Sequence, residues 1–262
     1  MPRRIVIHAG FHKTGTSTVQ EVLRANRKAL MPVLAIRLKG QMPELISAAR
    51  GYSTHRTDDA LDKVSRRFGA LLADLPGMPR RTLLLSAEEL SGHMPGRGPL
   101  ADYSAAPVLM ALFWQRAQEV FPKTPVEFCF GTRRAEDWQR SAWAEHVKSS
   151  GMTLDLARFC TAYPAAPDLA AVIRDIARRV DAPVHSYALE DCAALALGPA
   201  DPVLGLCGLP GALRATLVPC PPQNRQLDAD TLAALLQINR THPHTDTRNA
   251  AKAAFLSTGP RP

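Results

Sequence analysis

Nine consecutive residues concentrate groups that bind anions: Gly10-Phe11-His12-Lys13-Thr14-Gly15-Thr16-Ser17-Thr18. Glycines let a backbone come close to phosphate oxygens. Lys13 adds a point charge, and the hydroxyls of Thr14, Thr16, Ser17 and Thr18 add donors. The segment follows the apolar run Ile5 to Ile7 and leads into Val19, Leu23 and Leu30, apolar positions at helical spacing. A strand, a glycine-bearing loop and a hydroxyl-rich helix start together make an anion site. The free N–H groups of a helix's first turn point outward, and the helix dipole adds positive potential there.

Two further groups have residue types that suit the same chemistry. Arg133 ends an apolar run, and Ser141 follows eight residues later. A guanidinium fork with a serine hydroxyl suits a dianionic phosphate. Glu88 and Glu89 follow the run Thr82 to Ser86. A carboxylate just past a strand end can take a proton from an acceptor hydroxyl. Glu88, Glu89, His12 and His93 are the candidate bases. His8 reads as a strand residue facing the core or a neighbour. His242, His244 and Asp246 lie in a polar tail and read as solvated rather than as metal ligands.

The loop invites comparison with the P-loop pattern G-x-x-x-x-G-K-[ST]. Gly10 and Gly15 have its separation and Ser17 its hydroxyl position. Thr16 stands where the pattern has lysine, and the lysine comes earlier, at Lys13. Neither strand 82–86 nor strand 126–131 ends in the aspartate that would hold magnesium.

These groups need elements to position them. Residues 16–30 are predicted as the first helix, stopped by Pro32, with Val33 to Leu38 as a second strand. Residues 40–59 read as loop. Leu61 to Leu75 carries an amphipathic helical pattern, ended by Pro76 to Pro79. Thr82 to Ser86 is a buried strand, 92–107 an irregular loop and Ala111 to Phe121 a helix. Val126 to Gly131 is a strand, followed by a helix from about Glu136 to Lys148. A helix over 168–180 and a strand over Val184 to Tyr187 come next. Residues 193–215 resist subdivision. Asp228 is placed as the N-cap of a late helix to Gln237, and 241–262 as a flexible tail. Strands alternating with helices predict an α/β fold, a three-layer sandwich with a mainly parallel central sheet. Ligands of such sheets bind beyond the carboxyl ends of the strands, where all three groups fall.

Composition bounds the rest. The chain has 262 residues, 46% hydrophobic, enough for one domain over 1–262 with a real core. A net charge of +8 suits an anionic ligand. Its basic residues are dispersed and form no nucleic-acid motif. The five cysteines include no C-x-x-C pair, which fits a reducing, cytoplasmic setting. No apolar signal segment opens the sequence, and no run of about 18 apolar residues predicts a membrane span.

Lys13-Thr14-Gly15-Thr16-Ser17 directly after a first strand resembles the loop by which sulfotransferases hold the 5′-phosphosulfate of PAPS (3′-phosphoadenosine 5′-phosphosulfate). The longer stretch from His8 to Gln20 looks most like the bacterial sulfotransferase-domain proteins. Arg133 and Ser141 match the family's arginine and serine for the 3′-phosphate, and Asp137 matches an acidic position between them. Ala135 departs from the family's usual proline. Arg134 would place alanine at the serine position, so Arg133 is the better match. Ser86-Ala87-Glu88 resembles the family's Ser-x-Glu, which maps the base onto Glu88. Tyr187, Glu190, Asp191, Asn224 and the stretch ending at Asn239 are looser similarities. The resemblance implies a P-loop NTPase-like fold that moves a sulfuryl group from PAPS to a hydroxyl or amine of a carbohydrate or small-molecule acceptor, giving PAP. It implies that Thr14 to Thr18 hold the 5′-phosphate and that no metal is needed. Lys13 would stabilise the leaving phosphate, and the acceptor would approach over the irregular segments, chiefly 40–59 and 90–107, because loops at strand ends shape such clefts. The residues also admit an ATP- and magnesium-dependent kinase, or a protein that binds a nucleotide or sulfated polymer without turnover.

Overall fold

The computed structural model describes residues 1–221 and 227–258. Five parallel strands form one sheet: β1 (Arg4–His8), β2 (Leu34–Leu38), β3 (Thr82–Ser86), β4 (Val126–Thr132) and β5 (Val184–Ala188), in the order β2-β3-β1-β4-β5. Residues Ile5, Val6 and Ile7 pair with Leu83, Leu84 and Leu85 on one side and with Val126, Glu127 and Phe128 on the other. The central strands are apolar on both faces because helices cover both faces.

Successive side chains divide between two cores, as the strand period of two requires. Ile5, Ile7, Leu83, Leu85, Phe128 and Phe130 enter the larger core. It is closed by α3 (Pro43–His55), α4 (Asp58–Ala73), α5 (Ala106–Val120), α6 (Ala135–Ser149), α7 (Leu156–Ala162), α8 (Leu169–Arg179) and α11 (Ala229–Thr241). Val6, Leu84, Cys129 and Ile36 enter the smaller core on the opposite face. There α1 (Thr16–Ala25), α2 (Arg27–Leu30), α9 (Ala200–Leu206) and α10 (Gly211–Ala215) pack. The three-layer α/β sandwich follows from this division.

Several expected boundaries move. Residues 40–59, read as loop, contain α3. Leu45, Ile46, Ala49 and Tyr52 bury one face of it, while Gly, Ser and Thr on the remainder hid the helical period. Pro43 opens the helix, where its missing N–H costs nothing, and Arg56 at φ 55° ends it. The expected helix over 16–30 breaks at Asn26, whose side chain bonds the Val22 carbonyl and both backbone groups of Val218. The segment 193–215 resolves into α9 and α10, and α7 was not anticipated. Within the tail expected to be flexible, Thr245–Thr258 form α12, whose own Lys252 is buried. Asp228 caps α11 by accepting from the Thr231 N–H at 2.8 Å. Asn224 lies outside the described residues. No helix among the described residues is long and apolar enough to cross a membrane.

Candidate functional site

The loop between β1 and α1 is held in an unusual conformation. Gly10, Lys13 and Gly15 have φ of 54°, 68° and 92°. A left-handed lysine is uncommon and marks a backbone position that its surroundings fix. Phe11 anchors the loop, buried with its ring centroid 4.8 Å from that of Tyr103 and 5.3 Å from that of Phe130. Gly131 allows the close approach of β4: a Cβ there would sit 2.8 Å from the Thr14 carbonyl oxygen.

Four successive loop carbonyls are each engaged by a side-chain donor. Gly10 accepts from Ser91 Oγ at 2.8 Å, Phe11 from Thr14 Oγ1 at 2.7 Å, His12 from Trp138 Nε1 at 2.9 Å and Lys13 from Arg133 Nη1 at 3.2 Å. The N–H groups behave oppositely. His12 N–H reaches Tyr103 Oη and Val19 N–H reaches the Gly15 carbonyl. Between them, the N–H groups of residues 13–18 meet no acceptor among the described residues. Carbonyls pinned outward and donors left free make a concave, electropositive backbone surface. Thr16 Oγ1 is buried and has no partner among the described residues. Buried polar atoms rarely go unpaired unless a ligand or water serves them. The donor set of this loop therefore fits phosphate oxygens.

The strand ends bring the other predicted groups around this loop. Arg133 donates to the Lys13 carbonyl, whereas the Arg134 side chain is exposed and its Nε is paired with Asp137 at 3.1 Å and Glu190 at 3.6 Å. Ser141 lies on α6, half-buried, and its hydroxyl has no protein partner among the described residues. Lys13 Nζ lies 3.1 Å from Glu145 Oε2. Glu145 is one turn beyond Ser141 on the same helix face, a spacing that could have found it in the sequence. Burial pushes the Glu145 carboxyl up, but the Lys13 ammonium and its hydrogen bond outweigh that and hold it below its ordinary range.

Glu88 accepts from Gln20 Nε2 at 3.2 Å, which ties the β3 end to α1. Burial, then the neighbouring charge of Glu89, raises its pKa. Glu89 is buried and ion-paired with Lys39. His12 Nδ1 lies 3.1 Å from Tyr103 Oη. Burial, then the charges of His93, Lys39, Arg97 and Arg50, hold its imidazole well below its usual range, so it is neutral near pH 7. His8 sits beneath the loop, with Nδ1 2.9 Å from Ser86 Oγ and Nε2 3.0 Å from Tyr187 Oη. No group of three or more His, Cys, Asp or Glu side chains among the described residues is arranged to hold a metal ion.

A cavity of about 620 Å³ opens beside these carboxylates, lined by Lys39, Pro43, Ile46, Arg50, Thr54 and His93 among others. Its walls are the turn after β2, α3 and His93 beyond β3, within the segments 40–59 and 90–107 expected to flank an acceptor, though 40–59 is largely helix rather than loop. Tyr103, Trp138, Gln20 and Ser91, which shape the site from a distance in sequence, carry no local signal. Comparison with family models, with curated proteins and with solved structures returns no match to this chain.

Proposed function

We propose that the chain is a sulfotransferase that moves a sulfuryl group from PAPS to a hydroxyl or amine of a carbohydrate or small-molecule acceptor, releasing PAP. The observation that carries this reading is the loop itself. Its carbonyls are withdrawn, its N–H groups at residues 13–18 are free, and Arg133 is drawn against it. Thr14, Gly15, Thr16, Ser17 and Thr18 would hold the 5′-phosphate, and Arg133 with Ser141 the 3′-phosphate. PAPS supplies an activated sulfuryl group. Glu88 takes the acceptor's proton as the new bond to sulfur forms, and its raised pKa suits a base. Lys13 neutralises charge on the phosphate oxygen that departs from sulfur. His12, held neutral, helps to position donor or acceptor. The five cysteines, none in a disulfide, suit a cytoplasmic enzyme.

Calorimetric titration with PAP and with ATP–magnesium tests this. Wild type is expected to bind PAP in the micromolar range and ATP–magnesium much more weakly. Arg133→Ala and Ser141→Ala should each weaken PAP, the arginine variant by about 2 kcal/mol, roughly thirtyfold. Tight ATP–magnesium binding without PAP binding would instead support a kinase.

A further inference from the structure

The cavity beside Glu88 and Glu89 has a charge pattern of its own. Arg50 lines it and places Nη2 3.3 Å from His93 Nε2. Arg97, half-buried nearby, bonds only a hydroxyl, Ser149 Oγ, at 2.6 Å. Among the described residues neither guanidinium has a carboxylate within ion-pair distance. Of the acids close by, Glu89 is paired with Lys39 and Glu145 with Lys13, while Glu88 accepts from Gln20. Two partly desolvated guanidiniums beside a neutral imidazole thus leave net positive charge around a cavity that is large enough for a sugar. Burial lowers the pKa of Arg97, the Glu145 carboxylate opposes that and Arg50 adds to it; His93 is driven down to about 4, chiefly by burial, Arg50 and Arg97. The cost of such an arrangement falls when an anion occupies it. Pro43 and Ile46, on the same helix as Arg50, give the cavity an apolar patch for a carbon skeleton.

We propose that this cavity is the acceptor site, and that the acceptor carries an anionic group, a carboxylate or an ester sulfate, bound by Arg50 with support from Arg97. The assignment as acceptor site rests on the sulfotransferase reading. An anion held at Arg50 would leave a hydroxyl of the same molecule free to turn toward Glu88, the chain neighbour of the Glu89 that pairs with cavity-lining Lys39.

The test uses D-glucuronate, glucose 6-sulfate and glucose as probes, at fixed ionic strength, with the full chain free and saturated with PAP. NMR signals of the Arg50 side-chain Nε–H and the His93 ring report the cavity, and the amides of Gly15 and Thr16 report the loop. Saturable shifts at Arg50 and His93 with one or both anionic sugars, undiminished by PAP and absent with glucose, are expected. Which anion binds distinguishes carboxylate from sulfate. Arg50→Gln should weaken the anion roughly tenfold, the loss of a charge-assisted contact, and leave PAP affinity unchanged. Arg97→Gln, farther from the cavity wall, should act in the same direction and serves if Arg50→Gln fails to fold. Equal response to glucose, no dependence on Arg50 or Arg97, or displacement of the anion by PAP overturns the proposal. Absence of PAP binding is read separately at Gly15 and Thr16, and sinks the sulfotransferase reading and the acceptor assignment with it.

Discussion

Lys13 Nζ and Glu145 Oε2 are 3.1 Å apart, an ion pair joining the anion loop to the helix that carries Ser141. The lysine is mostly buried and the glutamate about one-third exposed (side-chain exposures 18% and 33%). The pair therefore offsets the loop's positive potential while no anion is bound. Under the proposed function, it must loosen, or share its lysine, for a phosphate to bind there. Glu145→Gln removes the competing carboxylate and is expected to tighten PAP several-fold, on the order of 1 kcal/mol for a pair of this exposure. Lys13→Ala should weaken PAP instead. Calorimetry on both variants checks the opposed signs; weaker PAP binding in Glu145→Gln would mean that the glutamate positions Lys13 rather than competing for it.

Glu88 gives a pH-dependent prediction. Burial and the charge of Glu89 raise its pKa, and in the proposed role of base it acts only when deprotonated. Turnover should therefore climb with pH through that raised value and then level off. Glu88→Gln should lower kcat by about 10²–10⁴, the usual worth of a positioned general base, with PAP affinity unchanged. A variant that keeps the wild-type rate and profile would move the role to Glu89 or His93.

The sheet and the loop were legible because strands buried on both faces write continuous apolar runs, and a glycine loop follows the first of them. Arg133 was legible for a local reason too, since it ends a strand eight residues before Ser141. The cavity was not. Its wall α3 mixes Gly51, Ser53 and Thr54 into a helix whose buried face shows only in three dimensions. Nor could the sequence show that Ser91, Thr14, Trp138 and Arg133 bond four consecutive carbonyls, because three of those donors are distant in the chain. Tail helix α12 was missed because its apolar stripe is thin and its main anchor is a lysine.

Acid should unfold this protein early. His8 and His146 are fully buried, and burial pulls each from an ordinary 6.5 to about 4. His146 Nε2 donates to the Pro95 carbonyl at 2.7 Å, while Nδ1 has no partner among the described residues. A second proton would have nowhere to go. The unfolded chain binds these protons below pH 6.5 and the folded chain only near 4, so stability is full above 6.5 and falls across that window. Each such group contributes a slope of about 1.4 kcal/mol per pH unit. Urea unfolding of wild type and His146→Gln across the window should show a shallower loss in the variant, by about one proton's share. Parallel slopes would show that His146 takes up its proton without unfolding.

Lys252 ties the tail to the site. Its ammonium donates to the carbonyls of Val147 at 2.6 Å, Lys148 at 3.2 Å and Ser150 at 2.6 Å, the free carbonyl end of α6. Asn239 adds a bond to Val147 O at 3.0 Å and one to Met152 O at 2.8 Å. A cation at a helix C-terminus also meets the favourable end of the dipole. Because α6 carries Trp138, Ser141 and Glu145, the clasp fixes the helix that faces the loop. Lys252→Met keeps the aliphatic stem and removes the donors, leaving carbonyls unpaired in a buried place. The expected loss is about 2–4 kcal/mol in urea unfolding, from several carbonyls losing charge-assisted bonds. Hydrogen exchange should quicken first in α12 and the last turn of α6, with PAP affinity falling only modestly. Unchanged exchange at the end of α6 would show that α11, through Asn239, holds that end without help from the tail.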